Sequence, residues 1–208
     1  MTSLFAGIPS WIIPAIIGFI SIISLTLIIE RIFTLTQGIQ SISDEEQNSL
    51  LALMRQEKYE DSLSFCDLRH HPSFRIAAAI IQAKLQDQDI KFSANNVMMQ
   101  EQSKLERFLP SLGTISTVAP LIGLLGTVTG MIKSFRAFEQ TAAQNTQLMG
   151  GIDEALITTA LGLIVAIPSL IMYNFFVRKV QLINAETEIF MDMILKELLK
   201  PEDDEKQA

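Results

Sequence analysis

The chain is poor in the residues that do chemistry or cross-link a fold. Its 208 residues include one cysteine, two histidines, one tryptophan and two tyrosines. A single cysteine, Cys66, excludes an intrachain disulfide and the usual tetrahedral thiolate zinc site. His70 and His71 stand close after Cys66 and Asp67 and invite a metal reading. Adjacent histidines project about 100° apart on a helix, however, and Pro72 points to a turn and helix start, so a metal is not expected. Charge is scarce too: 19% of residues are Asp, Glu, Lys or Arg, the net charge is -7, and the bases are interleaved with acids. That balance argues against nucleic acid, which needs clustered Lys and Arg to displace counterions. There is no nucleophile, base and orienter set, no HExxH and no phosphate-cradling glycine loop, so an enzyme is not expected. Strand patterns, sequence repeats and low-complexity linkers are also missing.

Charge is absent altogether from three stretches: Met1 to Ile29, Phe108 to Ile132 and Ala155 to Val177. Each exceeds the roughly 20 residues needed to cross a bilayer core about 30 Å thick. The first lacks the basic start, short apolar region and small-residue cleavage site of a secretory signal. It reads as an uncleaved anchor crossing at about Pro9 to Ile29, with Trp11 in the interfacial aromatic belt. The other two carry Gly113, Thr117, Pro120, Gly123, Gly126, Thr127, Gly130, Thr158, Thr159, Gly162, Ala166, Pro168 and Ser169. A lipid-facing helix has no need of such residues; they belong between helices or beside a polar path. Gly126 and Gly130 form a GxxxG spacing that permits close approach. Pro120 and Pro168 either bend the spans and free carbonyls towards a central cavity, or are tolerated by neighbouring packing.

The connectors set orientation and organisation. Residues 30–107 hold nine Lys or Arg, the segment between the second and third spans holds Lys133 and Arg136, and the last part opens with Arg178 and Lys179. The positive-inside rule then places the N-terminus outside, the long connector inside, the short one outside and the C-terminus inside. In the long connector, Ser43 with Glu46 is a capping-box pattern. Pro72 is placed to open a second helix, and Ser93 to cap a third that runs into the second span. Met98 and Met99 read as packing material. Beyond the third span, Val180, Ile183, Thr187, Phe190, Ile194 and Leu198 recur at helical steps, an amphipathic continuation that must pack against something. The expected organisation is an outside segment and first span over 1–31, a helical inside connector over 32–92, and a long helix with the second span over 93–138. A short outside loop over 139–151, a long helix with the third span over 152–200 and an acidic frayed tail over 201–208 complete it. The fold class is all-α: three transmembrane helices, two of them extended far into the cytoplasm, plus a helical cytoplasmic connector domain.

The run from Leu112 to Met131 resembles the second-span motif of the MotA/TolQ/ExbB proton-channel family, and Gly151 to Pro168 with Tyr173 and Asn174 resembles its third-span motif. Three spans rather than four point to the ExbB/TolQ branch. The resemblance implies a homo-oligomeric ring, a pentamer, in the bacterial inner membrane. The ring would surround an ExbD-like or TolR-like single-span partner carrying a membrane aspartate, with an envelope partner of TonB or TolA type. Protons are the implied coupling ion, and no cofactor is implied. Thr127 and Thr159 match the pore-facing threonines, and Glu154 matches the acidic residue at the start of the third span. Pro120, Gly123, Gly126, Gly130, Gly162 and Pro168 would shape and pack the pore helices.

The residues allow other readings. A threonine hydroxyl can hold water or face a partner carboxyl, and it can equally bond back to its own helix or glue neighbours. Glu154, after Gly150 and Gly151, either complements the helix dipole in the first turn, as Asp153 can, or relays protons from within the membrane. A non-conducting scaffold that oligomerises to hold a partner would use the same small residues.

Overall fold

Capping chemistry decides where the helices begin. The computed structural model describes residues 9, 11–37, 42–69, 71–140 and 145–199, and the side chains of these apart from 36–37, 136–140, 145–151 and 154. Every regular element among them is helical: α1 (Ile12–Ile32, followed by a π-helical turn Phe33–Gln37), α2 (Asp44–Arg55), α3 (Tyr59–Asp67), α4 (Pro72–Leu85), α5 (Ile90–Glu106), α6 (Leu109–Gln140) and α7 (Asn145–Leu198). The capping box at Ser43 forms: its hydroxyl accepts the Glu45 N–H and the Glu46 carboxylate accepts the Ser43 N–H. Pro72 opens α4, as expected. The acidic tail from 201 and His70 lie outside the described residues.

Helices α2 and α4 end in the same way. Past α2, Lys58 N–H reaches back to the Leu53 carbonyl and Glu57 N–H to that of Met54; past α4, Gln88 and Asp87 repeat the pattern onto Ala83 and Lys84. This double back-bond puts the residue after the cap in the left-handed region, where glycine is usual. Here Glu57 (φ 54°) and Asp87 (φ 53°) occupy it.

Three boundaries depart from expectation. Asp89, not Ser93, caps α5, its carboxylate accepting the Phe92 N–H at 3.0 Å. The helix expected to run from Ser93 into the second span instead stops at Glu106, and α6 starts at Leu109. The cause is Pro110: inside a continuous helix its ring would clash with the Glu106 carbonyl, four residues back. Phe108 takes φ 87° at the break, a conformation that costs a non-glycine residue about 1–2 kcal/mol. The Arg31 guanidinium stands 5.4 Å from its ring centroid, within cation–π range. Finally, α7 starts at Asn145 rather than Ile152, so Gly150 and Gly151 are helical.

Three segments, Ile12–Leu35, Ile90–Phe135 and Ala155–Leu198, contain stretches long and apolar enough to cross a membrane. The chain divides into two compact units, Met1–Arg31 with Phe108–Phe176, and Ile32–Arg107 with Val177–Ala208. In the second unit the core joins Leu50 and Met54 of α2, Phe74, Ile76, Ala77, Ile80 and Ile81 of α4, Ala94 of α5, and Phe190, Met191 and Ile194 of α7. Phe74 meets Phe190 edge to face at 5.9 Å. The amphipathic continuation finds its partner here: Val180, Ile183, Thr187, Phe190 and Ile194 are all buried. Polar ties reinforce the packing. Ser73 and Thr187 hydroxyls bond at 3.1 Å, Glu186 accepts the Ile42 N–H at 2.9 Å, and Arg55 is bidentate to Glu197. Buried Glu101 is satisfied by Arg75 at 3.0 Å and Lys104 at 2.6 Å.

Candidate functional site

The second and third spans touch backbone to backbone. A Cβ on Gly123 would lie 3.0 Å from the Thr158 carbonyl oxygen and 3.0 Å from Thr159 Cα; one on Gly162 would lie 2.7 Å from the Ala119 carbonyl oxygen. Gly126 faces the Thr158 side chain and Gly113 the Tyr173 ring, whose nearest atom would be 3.0 Å from an added Cβ. Lipid tails are as apolar as side chains, so helices in a membrane gain by packing closely, and small residues make that possible. The first span joins through Ile13, 3.3 Å from the Gly126 Cβ position, and through a buried 2.6 Å hydrogen bond between Ser24 and Ser169.

Around this seam the hydroxyls take distinct roles. Thr159 donates to the Gly123 carbonyl across the helix pair at 3.0 Å. Thr127 donates to the Leu124 carbonyl of its own helix at 2.7 Å. Both side chains are half-buried, whereas Thr158 is buried, donating to the Ala155 carbonyl at 2.7 Å and lying 3.5 Å from that of Gly123. Each threonine has one proton and two lone pairs. With their protons held by carbonyls, Thr127 and Thr159 remain acceptors for a donor from outside. Thr127 lies one turn along α6 from Gly123, so the structure brings the two hydroxyls to neighbouring levels of one helix pair.

The other expected residues fall as follows. Pro120 and Pro168 lie inside α6 and α7, where each removes the N–H that the carbonyl four residues earlier, on Ser116 and Ile164, would accept. The Gly130 carbonyl accepts the Ser134 hydroxyl at 3.0 Å. Glu154 lies within α7, and its side chain is outside the described residues. Since α7 starts at Asn145, Asp153 and Glu154 are beyond its first turn, where the dipole effect fades, so the helix-start alternative does not apply to them. Thr158, one of the hydroxyl residues expected between helices, fills the seam opposite Gly126, and one polar contributor was missed: Ser24, whose signal was a serine among the isoleucines and leucines of the first span.

The titratable groups of note stand outside the spans. Cys66 lines a cavity of about 290 Å³ with Asp67, Arg69, Phe74, Arg75 and Gln82. Burial, then the Asp67 charge, pushes its thiol up to about 12, so it stays protonated. His71 caps α4 with its imidazole, Nδ1 accepting the Ser73 N–H at 3.2 Å, and burial holds its pKa below the usual histidine value. No group of three possible metal ligands occurs among the described residues.

The model of the MotA/TolQ/ExbB proton channel family matches residues 68–189, more than half of the chain. A Synechocystis sp. protein named ExbB-like 3, a biopolymer transport protein, is 32% identical over 183 residues, 83% of this chain and 85% of that one. The biopolymer transport protein ExbB of Aquifex aeolicus is 41% identical over 110 residues, 52% of this chain and 74% of the relative. The Tol-Pal system protein TolQ of Pseudomonas aeruginosa is 42% identical over 95 residues, 45% and 41% of the two chains. Three membrane-length helices, the small-residue seam and these similarities together make the chain a membrane energy-transduction subunit that belongs to the MotA/TolQ/ExbB proton channel family, in its ExbB/TolQ branch.

Proposed function

We propose that the chain is a proton-motive-force-driven motor subunit of an ExbB/TolQ-type inner-membrane complex. It assembles as a pentameric ring around the single membrane helices of an ExbD-like or TolR-like partner, with its N-terminus periplasmic and its C-terminus cytoplasmic. Protons are the coupling ion, and their flow drives envelope energy transduction through a partner of TonB or TolA type. The observation that supports this reading best is the placement of Thr127 one helical turn from Gly123, whose carbonyl Thr159 bonds. Both threonines are half-buried at adjacent levels of one helix pair, with protons tied to carbonyls and lone pairs left for an incoming donor. A protonated carboxyl or a water chain is such a donor, and accepting from it costs the site no charge in a low-dielectric setting. Glu154 is assigned to the same path as its acidic member.

One observation favours the rival reading of a non-conducting scaffold: Thr159 bridges to Gly123 and so also glues the helix pair. Reconstitution with the aspartate-bearing partner separates the two. Thr127→Val and Thr159→Val should each lower proton-dependent output at least about tenfold while the complex still assembles, because a valine keeps the volume and loses the acceptor. Normal output in assembled variants would remove the pore role. Loss of assembly before loss of output would favour the scaffold.

A further inference from the structure

His71 is 6% exposed, yet one of its ring nitrogens is idle. Nδ1 accepts the Ser73 N–H, which fixes the neutral tautomer with its proton on Nε2. Nε2 is buried and meets no hydrogen-bond partner among the described residues. The ring therefore sits in its site as a neutral acceptor, at the positive end of α4, where an added positive charge is opposed by the helix dipole. The same point ties four helices together. Ser73, next but one in α4, bonds Thr187 of α7. Glu186 of α7 holds the amide of Ile42, two residues before α2, and Glu46 of α2 closes the capping box while gripping Arg69, just past α3, at 2.8 Å.

We propose that His71 is a pH-operated latch that fastens the start of α4 to α7 when neutral and releases it when protonated. A proton taken from water onto Nδ1 turns the acceptor into a donor, so the ring faces the Ser73 N–H donor to donor and the cap is lost. The imidazolium then has two carboxylates to turn to, Glu186 from α7 and Glu46 from α2, the latter already engaged by Arg69. Turning to Glu186 competes with the Ile42 N–H and loosens the entry to α2 as well. The latch rests on this unit alone and does not depend on proton conduction. Joined to the proposed function, it lets acid on this unit's side loosen the helix that continues the third span.

The sign of the pH dependence follows from burial. The folded state holds the His71 pKa below its unfolded value near 6.5, so the unfolded chain binds the proton more readily. Stability is complete above about pH 6.5, falls as pH drops below it, and levels off once the folded ring also protonates.

Hydrogen exchange on the full chain in lipid nanodiscs, at pH 7.5 and pH 5.5 with intrinsic rates divided out, tests this. Amides of residues 73–76 and 42–46 should lose protection, approaching tenfold per pH unit below about 6.5, while residues 113–130 stay unchanged. His71→Asn keeps a capping acceptor without a titrating group, so its protection should be the same at both pH values. Equal protection in the wild type at both pH values, or the same acid loss in His71→Asn, overturns the latch. Should that variant fail to fold, imidazole ¹⁵N shifts of the wild-type protein decide. An unprotonated Nδ1 at neutral pH and titration below about 6.5 support the latch, and a protonated Nδ1 or a higher midpoint overturns it.

Discussion

The two units solve the same packing problem with opposite materials. In the unit built on Phe108–Phe176 and the first span, helices meet through what is missing from their side chains: Gly123 and Gly162 bring backbone to within about 3 Å of where a Cβ would stand, and Gly126 makes room for the Thr158 side chain. In the unit built on Ile32–Arg107 and the end of α7, they meet through bulk, with Phe74, Phe190, Ile80 and Ile194 fully buried. The solvent explains the difference. Water drives large apolar side chains together at about 25 cal/mol per Å² removed from contact, while lipid supplies no such force and leaves close van der Waals contact and hydrogen bonds to hold helices. Accordingly the first unit uses hydroxyl-to-carbonyl bonds such as Thr159 to Gly123, and the second uses caps and ion pairs such as Ser43 with Glu46 and Glu101 with Arg75.

The sharpest break in that comparison is a cavity where bulk matters. Phe190→Ala should cost about 3–5 kcal/mol in the second unit, read by chemical unfolding in detergent, because the ring is buried against Phe74. Exchange protection around Gly123 and Gly162 should be unaffected, and a loss there would show that bulk also holds the first unit. The converse change adds volume where the seam has none. Gly162→Ala should cost about 1–3 kcal/mol of helix-pair stability, since its Cβ meets the Ala119 backbone, which cannot swing aside. Gly126→Ala meets a side chain instead, that of Thr158, and should be milder and relieved by Thr158→Ala. Thermal unfolding in nanodiscs ranks the two, and an equal ranking would sink the backbone-contact account. The smallest expected effect is a gain. Glu57→Gly should stabilise the second unit by up to about 1 kcal/mol, because φ 54° suits glycine, with Asp87→Gly gaining less since Asp tolerates that region better.

Local chemistry made much of this readable. The capping box at Ser43, the Pro72 start and the stripe from Val180 to Ile194 are patterns over a few residues, and each appears where its pattern placed it. Pro110 was equally local but overlooked, and with it the break at Arg107 and Phe108. Asp89 outcompeted Ser93 as a cap because its carboxylate reaches Phe92 one turn earlier. The start of α7 before Gly150 and Gly151 was unreadable for another reason: glycine weakens a helix by about 1 kcal/mol but does not forbid it.

Composition and periodicity alone determined three membrane-length spans, an all-helical chain and a seam of small residues, because lipid forces backbone groups to be satisfied within each helix and so writes the requirement into consecutive residues. They could not determine which hydroxyl meets which carbonyl. That Thr159 reaches Gly123, that Thr158 is the buried filler, that Ser24 finds Ser169 and that the Ser73 hydroxyl meets Thr187 depend on the register between helices. Register is fixed by contacts between residues 35 to 145 positions apart, and no short stretch of chain contains both halves of such a contact.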